Sequence, residues 1–285
     1  MKQRLSALAD MLCYFPRYLI RRKYICAPRE SNRVTMVSAN VRCLNAADLG
    51  KKSWFYRAGL LMEDIASHTP GIIGFQEVTS RQYRYLAKAL KDYDSVIAYR
   101  DDSSHSESCP IFYSTKLYAL LDHGSFWLSK TPEVMSKDWG AALYRICSFV
   151  ILQERSSGKE FVVFNTHLDH ISDEARTKGM EVVLEKIRSF GGKPAVIMGD
   201  MNAAEDSQTY RSMTEYFLDA RYAAPETTDS CTFHCWGNPE MAARIDYFML
   251  SKEGFTPLRY DVLKGAHDGV YVSDHWPIVL ELTLN

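Results

Sequence analysis

The residues of this sequence best equipped for chemistry are acids, amides and imidazoles set at the ends of apolar runs. Ala195-Val196-Ile197-Met198-Gly199-Asp200-Met201-Asn202 shows the pattern most clearly: four strand-type residues run into a glycine, an aspartate and then an asparagine. A short apolar run bounded by a turn signal reads as a buried strand. Alternate residues of an extended segment share a face, so Asp200 and Asn202 can serve one site. The glycine is expected to let the backbone approach a ligand. Asn40, Glu77, and His167 with Asp169 follow other apolar runs in the same way, and Ser273-Asp274-His275 precedes one. An antiparallel strand begins on the edge where its neighbours end, so this reversed order suits a common rim. Several acids on one rim are expensive unless paired or metal-bound. Such oxygen donors suit a hard cation, Mg²⁺ first with Mn²⁺ as a substitute, held by one or two carboxylates and a substrate phosphate.

Positioning these groups requires a series of buried strands. The patterns predict strands over 34–41, 72–78, 95–99, 111–113, 117–121, 145–152, 160–164 (running into Asn165-Thr166-His167), 195–199, 244–250 and 276–282. The runs at 111–113 and 117–121 read as a pair, and those on either side of Ser156-Ser157-Gly158 as a hairpin. Helices are predicted over 54–68, 81–90 and 172–190; Pro70-Gly71 ends the first and Gly191-Gly192 the last. Residues 1–33 read as a basic N-terminal extension to one catalytic domain over 34–285. In it Leu5, Leu8, Leu12 and Phe15 recur at helical spacing before Arg21-Arg22-Lys23. That segment reads as a helix packed on the domain or a frayed terminus, with contact to anionic lipid or nucleic acid as the sharper alternative.

Composition narrows the function classes. The chain has 285 residues, 46% hydrophobic, and a net charge of −1, which argues against a surface built to grasp duplex nucleic acid by its backbone. The first 33 residues carry eight cations and two acids, a net +6, leaving −7 for the rest. Seven scattered cysteines offer no paired framework and fit a reducing cytoplasm. No run approaches the roughly 18 apolar residues of a membrane span, and Pro16 and Arg17 interrupt any signal-peptide reading. No Gly-x-Ser-x-Gly elbow or Walker-type phosphate loop is present, and no cysteine has an arginine six positions on.

In order along the chain, Asn40, Gln76-Glu77, Asn165-Thr166-His167, Gly199-Asp200-Met201-Asn202, Ile245-Asp246-Tyr247 and Ser273-Asp274-His275 resemble the endonuclease/exonuclease/phosphatase superfamily. That group includes deoxyribonuclease I-like enzymes, inositol polyphosphate 5-phosphatases, neutral sphingomyelinases, and nocturnin-like and deadenylase enzymes. The resemblance covers roughly residues 34–284. Details such as Trp54 with Arg57, Phe126-Trp127-Leu128-Ser129 and Thr232-Phe233-His234 are closest to an uncharacterised bacterial branch. Met201 departs from the phenylalanine more usual there. The resemblance implies an α/β fold, a four-layer sandwich of two mainly antiparallel, mixed sheets packed face to face with helices outside. It further implies metal-assisted in-line attack of water on a phosphate ester. Glu77 would be the principal metal ligand, with Asn40 and Asp274 beside it. Asp200 would take the proton of the attacking water, and Asn202 would hold that water or a phosphoryl oxygen. His275 would donate to the phosphoryl oxygen, Asp246 would orient His275, and His167 would act from the other side.

Arg145, Asp169, His170, Arg176 and His234 are further substrate-binding candidates, Arg145 serving equally well as a core-edge salt bridge. Cys231, His234 and Cys235 lack a fourth ligand at zinc spacing. Substrate choice is expected in rim loops 101–108, 126–139 and 231–241, where Trp127, Trp139, Phe233 and Trp236 can stack on a ligand or anchor the loop. The expected substrate is a small phosphoester or a short single-stranded nucleic acid. A DNA or RNA nuclease is the alternative, and a catalytically silent binding module the reading from another class. The chain is expected to act as a monomer without a stable protein partner.

Overall fold

The computed structural model describes residues 2–21 and 33–285, so Arg22 and Lys23 of the basic run lie outside the described residues. In chain order the elements begin with helix α1 (Lys2–Arg21), strand β1 (Val34–Asn40), α2 (Trp54–Ser67), β2 (Ile72–Gln76) and β3 (Val78–Thr79). Next come α3 (Ser80–Ala89), β4 (Tyr93–Val96), β5 (Glu107–Ser108), β6 (Ile111–Ser114), β7 (Tyr118–Trp127), β8 (Ile146–Glu154) and β9 (Glu160–His167). Then follow α4 (Asp173–Arg188), β10 (Ala195–Asp200), α5 (Gln208–Tyr216), β11 (Phe217–Asp219) and α6 (Ala220–Ala223). Strands β12 (Glu226–Thr227), β13 (Asp246–Ser251), β14 (Phe255–Val262) and β15 (Ile278–Leu284) close the chain.

Two sheets carry the architecture. One has the order β12-β14-β15-β1-β2-β6-β4, the other β11-β13-β10-β9-β8-β7. Most neighbours are antiparallel; β1–β2, β12–β14 and β9–β10 are parallel, which makes both sheets mixed. Three apolar clusters separate four layers. Helices α2 and α3 pack on the outer face of the first sheet, with α1 laid on these two helices, the two inner faces meet in the middle, and α4 and α5 cover the second. Because both faces are covered, strands such as β10 are buried along their whole length, which is why they read as continuous apolar runs.

The period-2 alternation of each strand assigns its side chains to a layer. On β10, Ala195 and Ile197 face the helices while Val196 and Met198 face the opposing sheet. Continuing that alternation puts Asp200 on the inner face. The same count puts Asn40 and Gln76 there from β1 and β2, and Asn165 and His167 from β9. Each strand is therefore apolar through the middle layer and turns polar at one end. Gly74 allows the sheets to meet closely, since a Cβ there would lie 2.3 Å from the Met198 methyl. Just beyond it, Gln76 Nε2 donates across the interface to Asn165 Oδ1 at 2.7 Å.

Three local expectations change. Ile111–Ser114 and Tyr118–Trp127 both form strands but do not pair: β6 joins β2 and β4, whereas β7 crosses to β8 in the other sheet. Strand β4 begins at Tyr93 rather than Ser95. Strand β14 escaped sequence reading because Pro257, Arg259 and Asp261 break its apolar pattern.

Candidate active site

Sheet register sets the acidic groups side by side. Asp200 on β10 is level with His167 on β9 and with Asp246 on β13, and Asn40 on β1 is level with Gln76 on β2. Across the gap between the sheets, Asn40 Nδ2 donates to Glu77 Oε1 at 3.1 Å and to Asp200 Oδ2 at 2.9 Å. His275 reaches in from the segment before β15, with Nδ1 2.9 Å from Asp246 Oδ2 and Nε2 3.7 Å from Asp200 Oδ2. His167 Nε2 lies 3.4 Å from the same Asp200 oxygen. Residues remote in sequence thus surround one carboxylate.

Backbone geometry aims the carboxylates. Glu77 is left-handed at φ +61° and Asn202 at φ +47°, conformations that are costly for non-glycine residues and concentrate at functional sites. Glu77 Oε2 accepts the Cys43 N–H at 2.8 Å. That turn is held by α3: Gln82, in the capping box with Thr79, accepts from Leu44 N and donates to the Arg42 carbonyl. Arg57, fully buried, donates to the carbonyls of Val41, Arg42, Lys52 and Val272, joining the end of β1 to the segment that carries Asp274. Gly199 plays a part different from the expected one. At φ +138° a Cβ would sit 1.9 Å from the Thr166 carbonyl oxygen, so the close approach is to strand β9 rather than to a ligand.

Electrostatics divide the groups. Burial and the neighbouring Asp246 carboxylate push Asp200 up to about 7, against the pull of His275, the Asn202 N–H and Asn40. Burial opposes the charge on His275, but Asp246 and Asp200 outweigh it and raise the imidazole to about 10. Burial, together with Arg145 and Arg100, drives His167 well below its ordinary range, so it is neutral. Burial acts upward on Glu77, yet the Cys43 N–H, His275, Asn40 and Arg42 bring it below the usual carboxylate range. Asp274 is raised, by burial first and by Glu77 among its neighbours; its Oδ2 lies 3.6 Å from Arg42 Nη1.

The remaining candidates divide between the rim and the scaffold. Asp169 is a loop organiser: its two oxygens accept the N–H groups of Ala142, Ile171 and Ser172 at 2.9–3.0 Å. Arg145, buried, lies 3.7 Å from Asp169 and bonds His170 Nδ1 at 2.9 Å. With Arg100, Glu107, Glu77 and His167 it lines a small cavity beside the carboxylates. Arg176 is tied to the Asp169 carbonyl and to Asp173. His234 stacks on Trp276 at 3.8 Å and its ring Nδ1 accepts the Gly237 N–H, while its backbone N–H bonds the Asp274 carbonyl and supports that loop from behind. Trp127 anchors its loop through the Arg100 carbonyl, and Phe233 packs on the His275 ring. Arg42, Gln82, Arg100 and Glu107 were not singled out from sequence. Arg42 carried one signal, its place two residues after Asn40.

The sequence model described as "Endonuclease/Exonuclease/phosphatase family" matches residues 37–275. The chain belongs to this family. It is a phosphoester hydrolase family whose fold, two mixed sheets between helices, is the one seen here. An endonuclease/exonuclease/phosphatase structure from Bacteroides vulgatus is 30% identical, with a TM-score of 0.84 over 89% of this chain and 99% of that one. A Bacteroides thetaiotaomicron mannosyl-6-phosphatase is 31% identical, with a TM-score of 0.78 over 88% of this chain and all of the other. The Candida albicans CCR4-Not 3'-5'-exoribonuclease subunit Ccr4 is 22% identical over 232 residues, 66% of this chain but only 29% of that protein.

Proposed function

We propose that this endonuclease/exonuclease/phosphatase protein is a divalent-metal-dependent hydrolase of small phosphate esters, acting by in-line attack of water. The observation that carries the reading is the ring of groups around Asp200, in which a proton acceptor near neutrality stands between a cationic and a neutral imidazole. Glu77, Asp200, Asp246 and Asp274 bring four carboxylates to one place, and burial first, then the Asp246 carboxylate, raises Asp200 to about 7, so a cation there would favour its ionised form. An oxygen-rich donor set of this kind fits Mg²⁺ or Mn²⁺. Glu77 would hold the ion, with Asp274 beside it. Asn40 presents its amide nitrogen to both carboxylates while its oxygen accepts the Arg42 N–H at 2.9 Å, so it would orient Glu77 and Asp200. Asp200, Asp246 and His275 bring donor atoms within 4.8 Å of one another. Their internal hydrogen bond suits them to proton handling more than to caging a cation. When bound, the ion supplies Lewis-acid stabilisation to the phosphoryl oxygens.

Asp200 accepts the proton of the attacking water, its pKa matched to neutral pH. Asn202 steadies the turn, its N–H on Asp200 Oδ1 at 3.0 Å and its side chain on the Leu168 carbonyl. His275, charged and held by Asp246, keeps Nε2–H for the phosphoryl oxygen on which charge builds. His167, neutral, donates from the opposite side. Arg145, in one small cavity with Glu77 and the Arg100–Glu107 ion pair, would be the cation that meets the second negative charge of a monoester. The mannosyl-6-phosphatase relative supports the same choice. The reading further assigns the protein to a cytoplasmic, monomeric setting. Its test is release of p-nitrophenol from p-nitrophenyl phosphate and from the bis ester, with Mg²⁺, Mn²⁺ or chelator. Faster, chelator-sensitive turnover of the monoester is expected. Preference for the bis ester or for oligonucleotides favours the nuclease reading, and no turnover at all the silent binding module.

A further inference from the structure

Helix α1 has two apolar faces and only one of them is covered. Met11, Tyr14 and Tyr18 pack inward against α2 and α3, the Tyr18 ring tilted on Tyr85 at 4.6 Å and Tyr14 edge-on to Tyr56 at 4.7 Å. Leu5, Leu8, Leu12, Phe15 and Leu19 recur at intervals of three and four, so they form one stripe along the helix. They point outward at 59, 50, 65, 42 and 38% exposure. An exposed stripe of this kind marks an interaction surface.

Charge identifies the partner. Asp10, the one acid of α1, turns inward and accepts the Gly50 N–H at 2.5 Å, and among the described residues Lys2 and Arg4 make no ion pair. Alongside, α3 contains no acid and presents Arg81, Arg84 and Lys88 at positions i, i+3 and i+7, all exposed. None of these three makes an ion pair among the described residues; Arg81 reaches only the Met11 sulfur, at 3.8 Å. Between the two helices runs an apolar groove lined by Met11, Phe15, Tyr18, Phe55 and Tyr85, with those cations on its edge.

We propose that α1 and α3 together dock this protein on an anionic lipid bilayer, the leucine stripe entering the acyl boundary and the cation row meeting the headgroups. A helix with an apolar face and flanking cations lies in the interface plane, and no described helix is long and apolar enough to cross a membrane. A second copy is the poorer occupant, because a twofold contact sets each patch against itself and opposes like charges.

Sedimentation of the full chain with vesicles tests this, comparing phosphatidylcholine alone with phosphatidylcholine and phosphatidylglycerol in equal parts. Binding is expected to the anionic vesicles only, and to weaken with added salt. Leu5→Glu with Leu12→Glu abolishes it, and Arg84→Gln with Lys88→Gln weakens it roughly thirtyfold. Both pairs keep the wild-type thermal midpoint, since these side chains lie outside the core. Absence of binding to anionic vesicles, or equal binding to neutral ones, overturns the proposal. So does a concentration-dependent dimer in light scattering that Leu12→Glu disperses, which assigns the stripe to a second copy.

Discussion

His275 is the residue through which protonation and fold stability are most tightly joined. Its folded pKa of about 10 stands above the ordinary 6.5, chiefly through Asp246 and Asp200 working against burial. The group therefore binds its proton more tightly folded than unfolded. That contribution to stability is complete below pH 6.5 and is lost as pH rises through 10. Asp246→Asn should lower the His275 midpoint, observed by NMR titration of the imidazole, and flatten the alkaline loss of stability. An unchanged midpoint would remove Asp246 from its orienting role. Asp200 has the same sign but a different consequence. Raised from 3.8 to about 7, it favours the folded state while protonated, and that advantage fades as pH rises through 7. A bound cation counters the cost of its ionisation. Addition of Mg²⁺ should therefore raise the thermal midpoint more at about pH 8 than at about pH 6. An equal shift at both would contradict the coupling between Asp200 ionisation and the cation.

At the scale of elements, the strand ends decide the site. Gly199→Ala would place a methyl group 1.9 Å from the Thr166 carbonyl at a φ only glycine tolerates easily. The strands β9 and β10 carry His167 and Asp200 at that point, so the substitution should destabilise by about 3 kcal/mol or more and reduce activity as well. Chemical denaturation measures it, and a loss near zero would mean that the ladder shifts freely. The sequence reading recognised Gly199 as special and Asp200 as chemical, because a glycine between an apolar run and an acid is a local signal. It assigned the wrong neighbour to that glycine, because β9 pairs with β10 across the whole of α4, in a parallel register that no local pattern displays. The same limit explains Tyr118–Trp127: alternation shows a strand, but not which sheet receives it.

At the scale of the molecule, two sheets stacked with their polar ends together turn six separated clusters into one site. Those clusters were legible because each interrupts an apolar strand with a group that burial penalises. The groups that hold them in place were not. Arg57, beside Trp54, reads only as a shared detail of the resemblance, and nothing local shows that it binds four carbonyls in the interior. Gln82 reads as helix surface, yet it sets the turn that donates to Glu77. Asp169 and His234 looked like rim chemistry and prove to be fastened into the loops. Function was visible where polarity is locally unexpected; support was hidden where a polar residue meets partners remote in sequence. The central claim is that Glu77 and Asp200 belong to one metal-assisted hydrolytic site, and the most direct measurement is turnover of p-nitrophenyl phosphate at saturating Mg²⁺ by Glu77→Gln and Asp200→Asn. Each should lose about 10²–10⁴-fold or more while unfolding as cooperatively as the wild type. Turnover near the wild-type rate by either variant would contradict the account.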